Sequence, residues 1–124
     1  MRIALADDQK LVRQGFRLIL AAEPDITVVA EASNGVEAID VVRQATPDVV
    51  LMDVQMPVMD GIAAASEIAQ DRLAPVVMLT AFSQRDLVER ARGAHQEYER
   101  TGDLSVLEHA VTAGWAGRTA EALE

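Results

Sequence analysis

The chain predicts an α/β domain built on a doubly wound parallel sheet, and three observations carry that prediction. Short aliphatic runs at residues 3–6, 49–52 and 76–79 have the length and the Val, Ile and Leu content of strands buried on both faces. Between them lie longer stretches whose apolar residues recur at helical spacing. Each aliphatic run ends on an acid or a hydroxyl: Asp7 and Asp8 after the first, Asp53 after the next, Thr80 after the last. Ligands of such sheets bind in the crevice beyond the carboxyl ends of the strands. Three carboxylates and one hydroxyl are thus aimed at one spot, a site suited to a hard divalent cation and to phosphoryl chemistry.

The elements follow in order. Residues 3–6 form the first strand. Leu11, Val12, Gly15, Phe16, Ile19 and Leu20 fall at helical spacing, and that helix ends near Glu23-Pro24. Residues 26–32 alternate more than the other strands and suit an edge. Ser33-Asn34-Gly35 is a turn in which Asn34 caps a second helix carrying Val36, Ala38, Ile39, Val41 and Val42, stopped at Thr46-Pro47. Residues 49–52 are the third strand. A loop over 54–61 holds Pro57 and Gly61, with Asp60 as the cap of an alanine-rich third helix over 62–72. In this loop Pro57 restricts Met56, Gly61 permits a backbone conformation barred to other residues, and Met56 and Met59 are packing residues. Residues 76–79 are the fourth strand. Ser83-Gln-Arg-Asp86 has capping-box character and opens a helix through Leu87, Val88 and Ala91. Ala94 and Tyr98 continue one face of that helix across Gly93.

Composition narrows the function. At 124 residues the chain fits one core; it is 50% apolar and 3% aromatic, so that core is aliphatic. Eleven basic against twenty acidic residues give a net charge of −9, which opposes nonspecific binding to DNA or to anionic membranes. Without cysteine there is no disulfide, zinc-thiolate or thiol-redox chemistry. No segment approaches 18 continuous apolar residues and the first strand begins at once, which predicts a cytoplasmic protein with no membrane association. His95 and His109 have no metal-spaced partner and are expected to be solvent-exposed helix residues.

The run from residue 52 to 61, Met-Asp-Val-Gln-Met-Pro-Val-Met-Asp-Gly, together with Leu-Ala-Asp-Asp at 5–8 and Pro-Val-Val-Met-Leu-Thr-Ala at 75–81, resembles the receiver domain of bacterial response regulators, a flavodoxin-like fold. The resemblance covers roughly residues 1–92. Through Asn34-Gly35 it looks most like receivers that precede a helix-turn-helix domain. The stretch 80–88 looks more like receivers joined to RNA-binding antiterminator domains. The resemblance implies that Asp53 is the phosphoacceptor, forming an acyl phosphate from a histidine kinase or a small phosphodonor. It further implies Mg2+ held by Asp8 directly, by Asp7 directly or through water, by Asp53, and by the backbone carbonyl of Gln55. Thr80 would donate its hydroxyl to the phosphoryl group and pull the following loop inward, with Ala81 leaving room beside it. Such a domain accepts a phosphoryl group and is not an enzyme in its own right. Asp-x-Asp phosphohydrolases and flavin proteins fit less well: the acids here are adjacent, and no phosphate-cradling loop follows the first strand.

The last third departs from the receiver pattern. A fifth strand ending in a lysine, with an aromatic residue inside it, should follow; the only lysine is Lys10, and no apolar run of strand length lies between Gly93 and Glu124. Instead Thr101-Gly102-Asp103 reads as a helix stop and a new cap, followed by an amphipathic helix through Leu104, Leu107 and Val111, and then Trp115. The stretch 98–104 is similar to the turn between paired helices of tetratricopeptide repeats. The sheet is therefore expected to be truncated to about four strands. Residues 1–92 form the receiver-like unit, and 93–124 a helical extension packed on it or on a partner chain. Without its fifth neighbour the fourth strand becomes an apolar edge that needs cover, which favours a homodimer, with Trp115 as gap filler or interface anchor. Losing the fixed cation slows phosphoryl chemistry by roughly two to three decades. The alternative function is a receiver-derived structural or dimerisation module with weak or absent phosphosignalling.

Overall fold

The computed structural model describes residues 1–79 and 87–102. Thr80, Ala81, the expected cap at 83–86, His109, the helix through Leu104 and Trp115 all lie outside the described residues. Among the described residues eight elements follow one another: β1 (Arg2–Ala6), α1 (Lys10–Ala21), β2 (Thr27–Ala32), α2 (Gly35–Ala45), β3 (Val49–Asp53), α3 (Gly61–Gln70), β4 (Val76–Leu79) and α4 (Leu87–Thr101). The four strands are all parallel, in the order β2-β1-β3-β4. This is a flavodoxin-like sheet, and β2 is an edge, as its alternation predicts.

Period-two alternation divides the core into two layers. Ile3, Leu5, Val49, Leu51, Val77 and Leu79 lie on one face with Leu20 of α1 and Leu87 and Ala91 of α4. Ala4, Ala6, Val50, Met52, Val76 and Met78 lie on the other with Ala38, Ile39 and Val42 of α2 and Ala64, Ala65 and Ile68 of α3. The handedness of crossovers explains this layering. The chain moves from β1 to β2 in one direction and from β2 through β3 to β4 in the other, so α1 lies on one face and α2 and α3 on the opposite face. The reversal falls between β1 and β3, and the crevice of a doubly wound sheet opens at such a reversal.

Short-range chemistry sets the boundaries. Asn34 Oδ1 accepts from the Glu37 amide at 2.8 Å and caps α2; Asp60 Oδ1 accepts from the Ala63 amide at 2.8 Å and caps α3. Thr46, in the left-handed region with φ 45°, ends α2 before Pro47. Helix α4 runs unbroken across Gly93 and ends at Thr101. Gly102, with φ +63°, donates its amide to the Tyr98 carbonyl at 2.7 Å.

Helix α4 is fastened to the sheet end opposite the acids. Arg92 forms a bidentate pair with Asp25, one bond at 2.8 Å, and reaches Glu23 at 3.4 Å. The Arg72 guanidinium donates to the Gly102 carbonyl at 2.9 Å. The hydrogen bond from Arg92 holds the Asp25 carboxyl down at about 2. Because that value is depressed, the contribution of the pair is complete above the ordinary value of 3.8 and is lost as pH falls toward 2. His95 corrects the expectation of an exposed histidine. Its side chain is only 23% exposed, with Nε2 3.2 Å from Glu99 and a buried Nδ1, because the helix face that carries Ala91 and Ala94 turns it partly under.

Gly93 sits in the interior of α4, exposed, with open space where a Cβ would stand. Gly93→Ala therefore removes backbone freedom from the unfolded chain without a clash. It should stabilise the domain by about 0.5–1 kcal/mol, read as a higher denaturant midpoint at unchanged slope.

Candidate acidic site at the strand ends

Strand register brings the acids together. Ala6 pairs with Met52, so Asp7 and Asp53 leave their strands at the same level. One carboxylate oxygen from each of Asp7, Asp8 and Asp53 falls within a cluster whose members are all within 4.8 Å of one another. The three differ in environment: Asp7 is buried at 7% exposure, Asp53 is half-buried, and Asp8 is exposed.

Asp7 is held from three directions. Its amide donates to the Ala32 carbonyl at 3.0 Å, tying the end of β1 to β2. Its Oδ1 accepts from the Gln9 amide at 2.9 Å, a turn that leads the chain into α1. Its carbonyl accepts from the Arg13 guanidinium, which also reaches Glu31 at 3.3 Å. Burial raises the Asp7 carboxyl above its ordinary value; the Gln9 amide opposes this, neighbouring Asp8 adds to it, and Arg13 opposes it. Arg13 is the residue that reading the sequence missed. Its signal was present: a cation one turn into the helix that leaves an acidic strand end.

Asp53 Oδ1 accepts from the Val54 amide at 2.9 Å. The loop that follows closes tightly. The Gly61 amide donates to the Val54 carbonyl at 2.8 Å, and the Gly35 amide to the Met59 carbonyl at 2.9 Å. A Cβ on Gly61 would stand 1.9 Å from the Asp53 carbonyl oxygen. The glycine is therefore required for close approach of α3 to β3. This corrects the expected role in backbone conformation, because Gly61 is not among the residues with positive φ; Val58, at φ 70°, is. Met56 is buried in the core and Met59 rests against it, as packing residues. Gln55 is exposed in this loop, two residues beyond Asp53, and Thr80 lies outside the described residues. Lys10 is exposed in the first turn of α1.

A parallel sheet of this order with clustered acids at the ends of its two central strands defines a flavodoxin-like α/β domain with an acidic strand-end site, and comparison with known proteins makes the class specific. The family model of the response regulator receiver domain matches residues 3–98, and the chain belongs to that family. The transcriptional regulatory protein PdtaR of Mycobacterium tuberculosis is 53% identical over 93 residues, covering 75% of this chain and 45% of that protein. The chain thus spans about half the length of the curated relatives it matches. Among solved structures, the response regulator domain of Thermotoga maritima CheB superposes with a TM-score of 0.72 at 25% identity, covering 77% of this chain and 96% of that one. The CheX-CheY-BeF3-Mg+2 complex from Borrelia burgdorferi gives 0.61 at 26% identity, covering 76% and 72%. Among the described residues no helix is long and apolar enough to cross a membrane.

Proposed function

We propose that this receiver accepts a phosphoryl group on Asp53 in a Mg2+-dependent reaction, with a histidine kinase as its donor in a two-component pathway. The observation that carries the reading is the convergence of Asp7, Asp8 and Asp53 within 4.8 Å. Two adjacent acids, one buried and raised by burial and by its neighbour, form a donor set of hard oxygens whose mutual repulsion a divalent cation relieves. Asp7, Asp8, Asp53 and the Gln55 carbonyl would hold the cation, and the cation supplies neutralisation of phosphoryl charge. The solved Borrelia burgdorferi complex, which contains beryllofluoride and magnesium, supports the same chemistry here.

The protein's own residues do the rest. Asp53 is the nucleophile. Its Oδ1 accepts from the Val54 amide, which orients the carboxylate for attack on phosphorus. The P–O or P–N bond to the donor breaks as the new O–P bond forms, and the leaving group departs with its electron pair. Asp7, fixed by Gln9 and Arg13, keeps the acidic floor in place. Thr80 would donate to the transferred group. The only lysine is Lys10, so the chemistry runs without the cation that the receiver pattern places after a fifth strand, and transfer is slow. The test is a Mg2+-dependent mass adduct with acetyl phosphate that Asp53→Asn abolishes.

A second reading has one observation in its favour. β4, with its uncharged Val76–Leu79 run, is an outer strand of the described sheet, and such an edge favours pairing with a second copy. On that reading residues 1–92 are a receiver-derived scaffold and 93–124 serve dimerisation. A folded chain that takes no phosphoryl group would favour it.

A further inference from the structure

Among the described residues, the loop between β3 and α3 contains the least favourable backbone near the site. Val58 has φ 70°, a region that L-residues rarely occupy and β-branched residues least of all. The Met59 amide donates to the Pro57 carbonyl at 2.7 Å, across this single residue. That bond closes a γ-turn on Val58 in its positive-φ form, the rare and strained one. Side-chain packing does not account for the conformation, because Val58 is 84% exposed.

The restraint comes from the backbone on either side. The Val54 carbonyl is bound by Gly61 at the start of α3, and the Met59 carbonyl by Gly35 at the start of α2. Neither glycine leaves slack: a Cβ on Gly35 would lie 2.4 Å from the Met59 oxygen, and one on Gly61 1.9 Å from the Asp53 oxygen. The span 54–59 is thus fixed at both ends, and the turn at Val58 takes up the length between them. The first amide of that span, from Val54, is the one that donates to Asp53 Oδ1 at 2.9 Å.

We propose that the strained turn at Val58 is a positioning device for Asp53: it keeps the 54–59 span closed between α2 and α3, and so fixes the Val54 amide on the Asp53 carboxylate and the main chain of Gln55 within the same span. The functional consequence rests on the phosphoacceptor reading; the positioning itself does not. Strained backbone persists where the surroundings over-determine it, and here the surroundings are the glycine contacts that frame the site.

The test compares substitutions that permit the turn with ones that forbid it. Val58→Gly accepts φ 70° without strain. It should raise the melting temperature by about 2–5 °C, leave the 15N–1H resonance of Val54 in place, and leave the Mg2+ dissociation constant within about twofold of the parent's. Val58→Pro fixes φ near −65° and excludes the turn. It should displace the Val54 amide resonance and weaken Mg2+ by about tenfold, on the scale of other residues that orient metal ligands. Pro57→Gly, which only loosens the turn, should shift both readouts in the same direction by less and decides the matter if Val58→Pro does not fold. A folded Val58→Pro or Pro57→Gly with the parent's Val54 resonance overturns the proposal. So does a Val58→Gly that melts below the parent, since the turn then holds no strain. If the parent itself binds no Mg2+, the phosphoacceptor reading falls, while the Val54 resonance still decides the positioning.

Discussion

Asp7→Asn should make the magnesium-free domain more stable at neutral pH and at the same time remove its affinity for magnesium. The Asp7 carboxyl is raised by burial and by Asp8, so the folded state holds this proton to higher pH than the unfolded chain does. Between the ordinary value of 3.8 and the raised one, the native state binds more protons than the unfolded state, and stability falls as pH rises through that window. At neutral pH the ionised form therefore works against the fold. Asparagine keeps an oxygen for the Gln9 amide, which donates to Asp7 Oδ1 at 2.9 Å, and removes the charge. The expected gain is about 1 kcal/mol, or roughly 3–6 °C in melting temperature, within the usual range for relieving a functional site. The expected loss is at least about tenfold in Mg2+ affinity by calorimetric titration. A variant that melts below the parent would mean that Asp7 serves the fold first and the cation second.

Gly61→Ala should be the most damaging single-methyl change in the domain. Its Cβ would stand 1.9 Å from the Asp53 carbonyl oxygen and 2.9 Å from Met78 Cε. The near atom belongs to the backbone of the strand that presents Asp53, so relief requires α3 to move off β3 or the end of β3 to bend. Overpacking against backbone costs about 3 kcal/mol, which for a domain of this size is on the order of 10–20 °C in melting temperature. The same displacement would carry the Val54 amide away from Asp53. Thermal unfolding by circular dichroism measures the first effect, and the rate of phosphoryl uptake the second. A variant that melts within about 2 °C of the parent would show that the β3–α3 junction yields easily.

The sequence already carried the strands, the caps and the acids, because each depends on local chemistry. Continuous aliphatic runs mark β1, β3 and β4. Asn34 and Asp60 announce helices through side chains that bind amides three residues on, and Gly102 ends α4 in the left-handed region, where glycine is favoured. The convergence of Asp7, Asp8 and Asp53 follows from strand ends plus parallel register. What stayed hidden depends on packing between distant segments. Local rules assign positive φ to the glycine at 61, whereas the structure places it on Val58 and uses Gly61 for space. The face chosen by α4, its Arg92 pair with Asp25 and the partial burial of His95 are set by a helix returning to the layer of α1, which no local pattern encodes. Arg13 was missed for a related reason: its place after an acidic strand end is visible in the sequence, but its partners, the Asp7 carbonyl and Glu31 of β2, are brought to it only by the fold.

The missing lysine gives the site a particular character. On the phosphoacceptor reading, the described residues supply acids for a cation and a carboxylate for attack. Among them the only lysine is Lys10, exposed in the first turn of α1. If phosphoryl transfer proceeds, the cation held by the acids carries most of the charge neutralisation, and dependence on Mg2+ should be steep. The alternative scaffold reading predicts the same fold with no transfer at all.

The most direct measurement is intact mass after incubation with acetyl phosphate, with and without Mg2+, for the parent and for Asp53→Asn. One added phosphoryl group is expected in the parent, only with Mg2+, labile to hydroxylamine as an acyl phosphate is, and none in Asp53→Asn. A parent that remains unmodified while folded by circular dichroism, or an adduct that persists in Asp53→Asn, would contradict it.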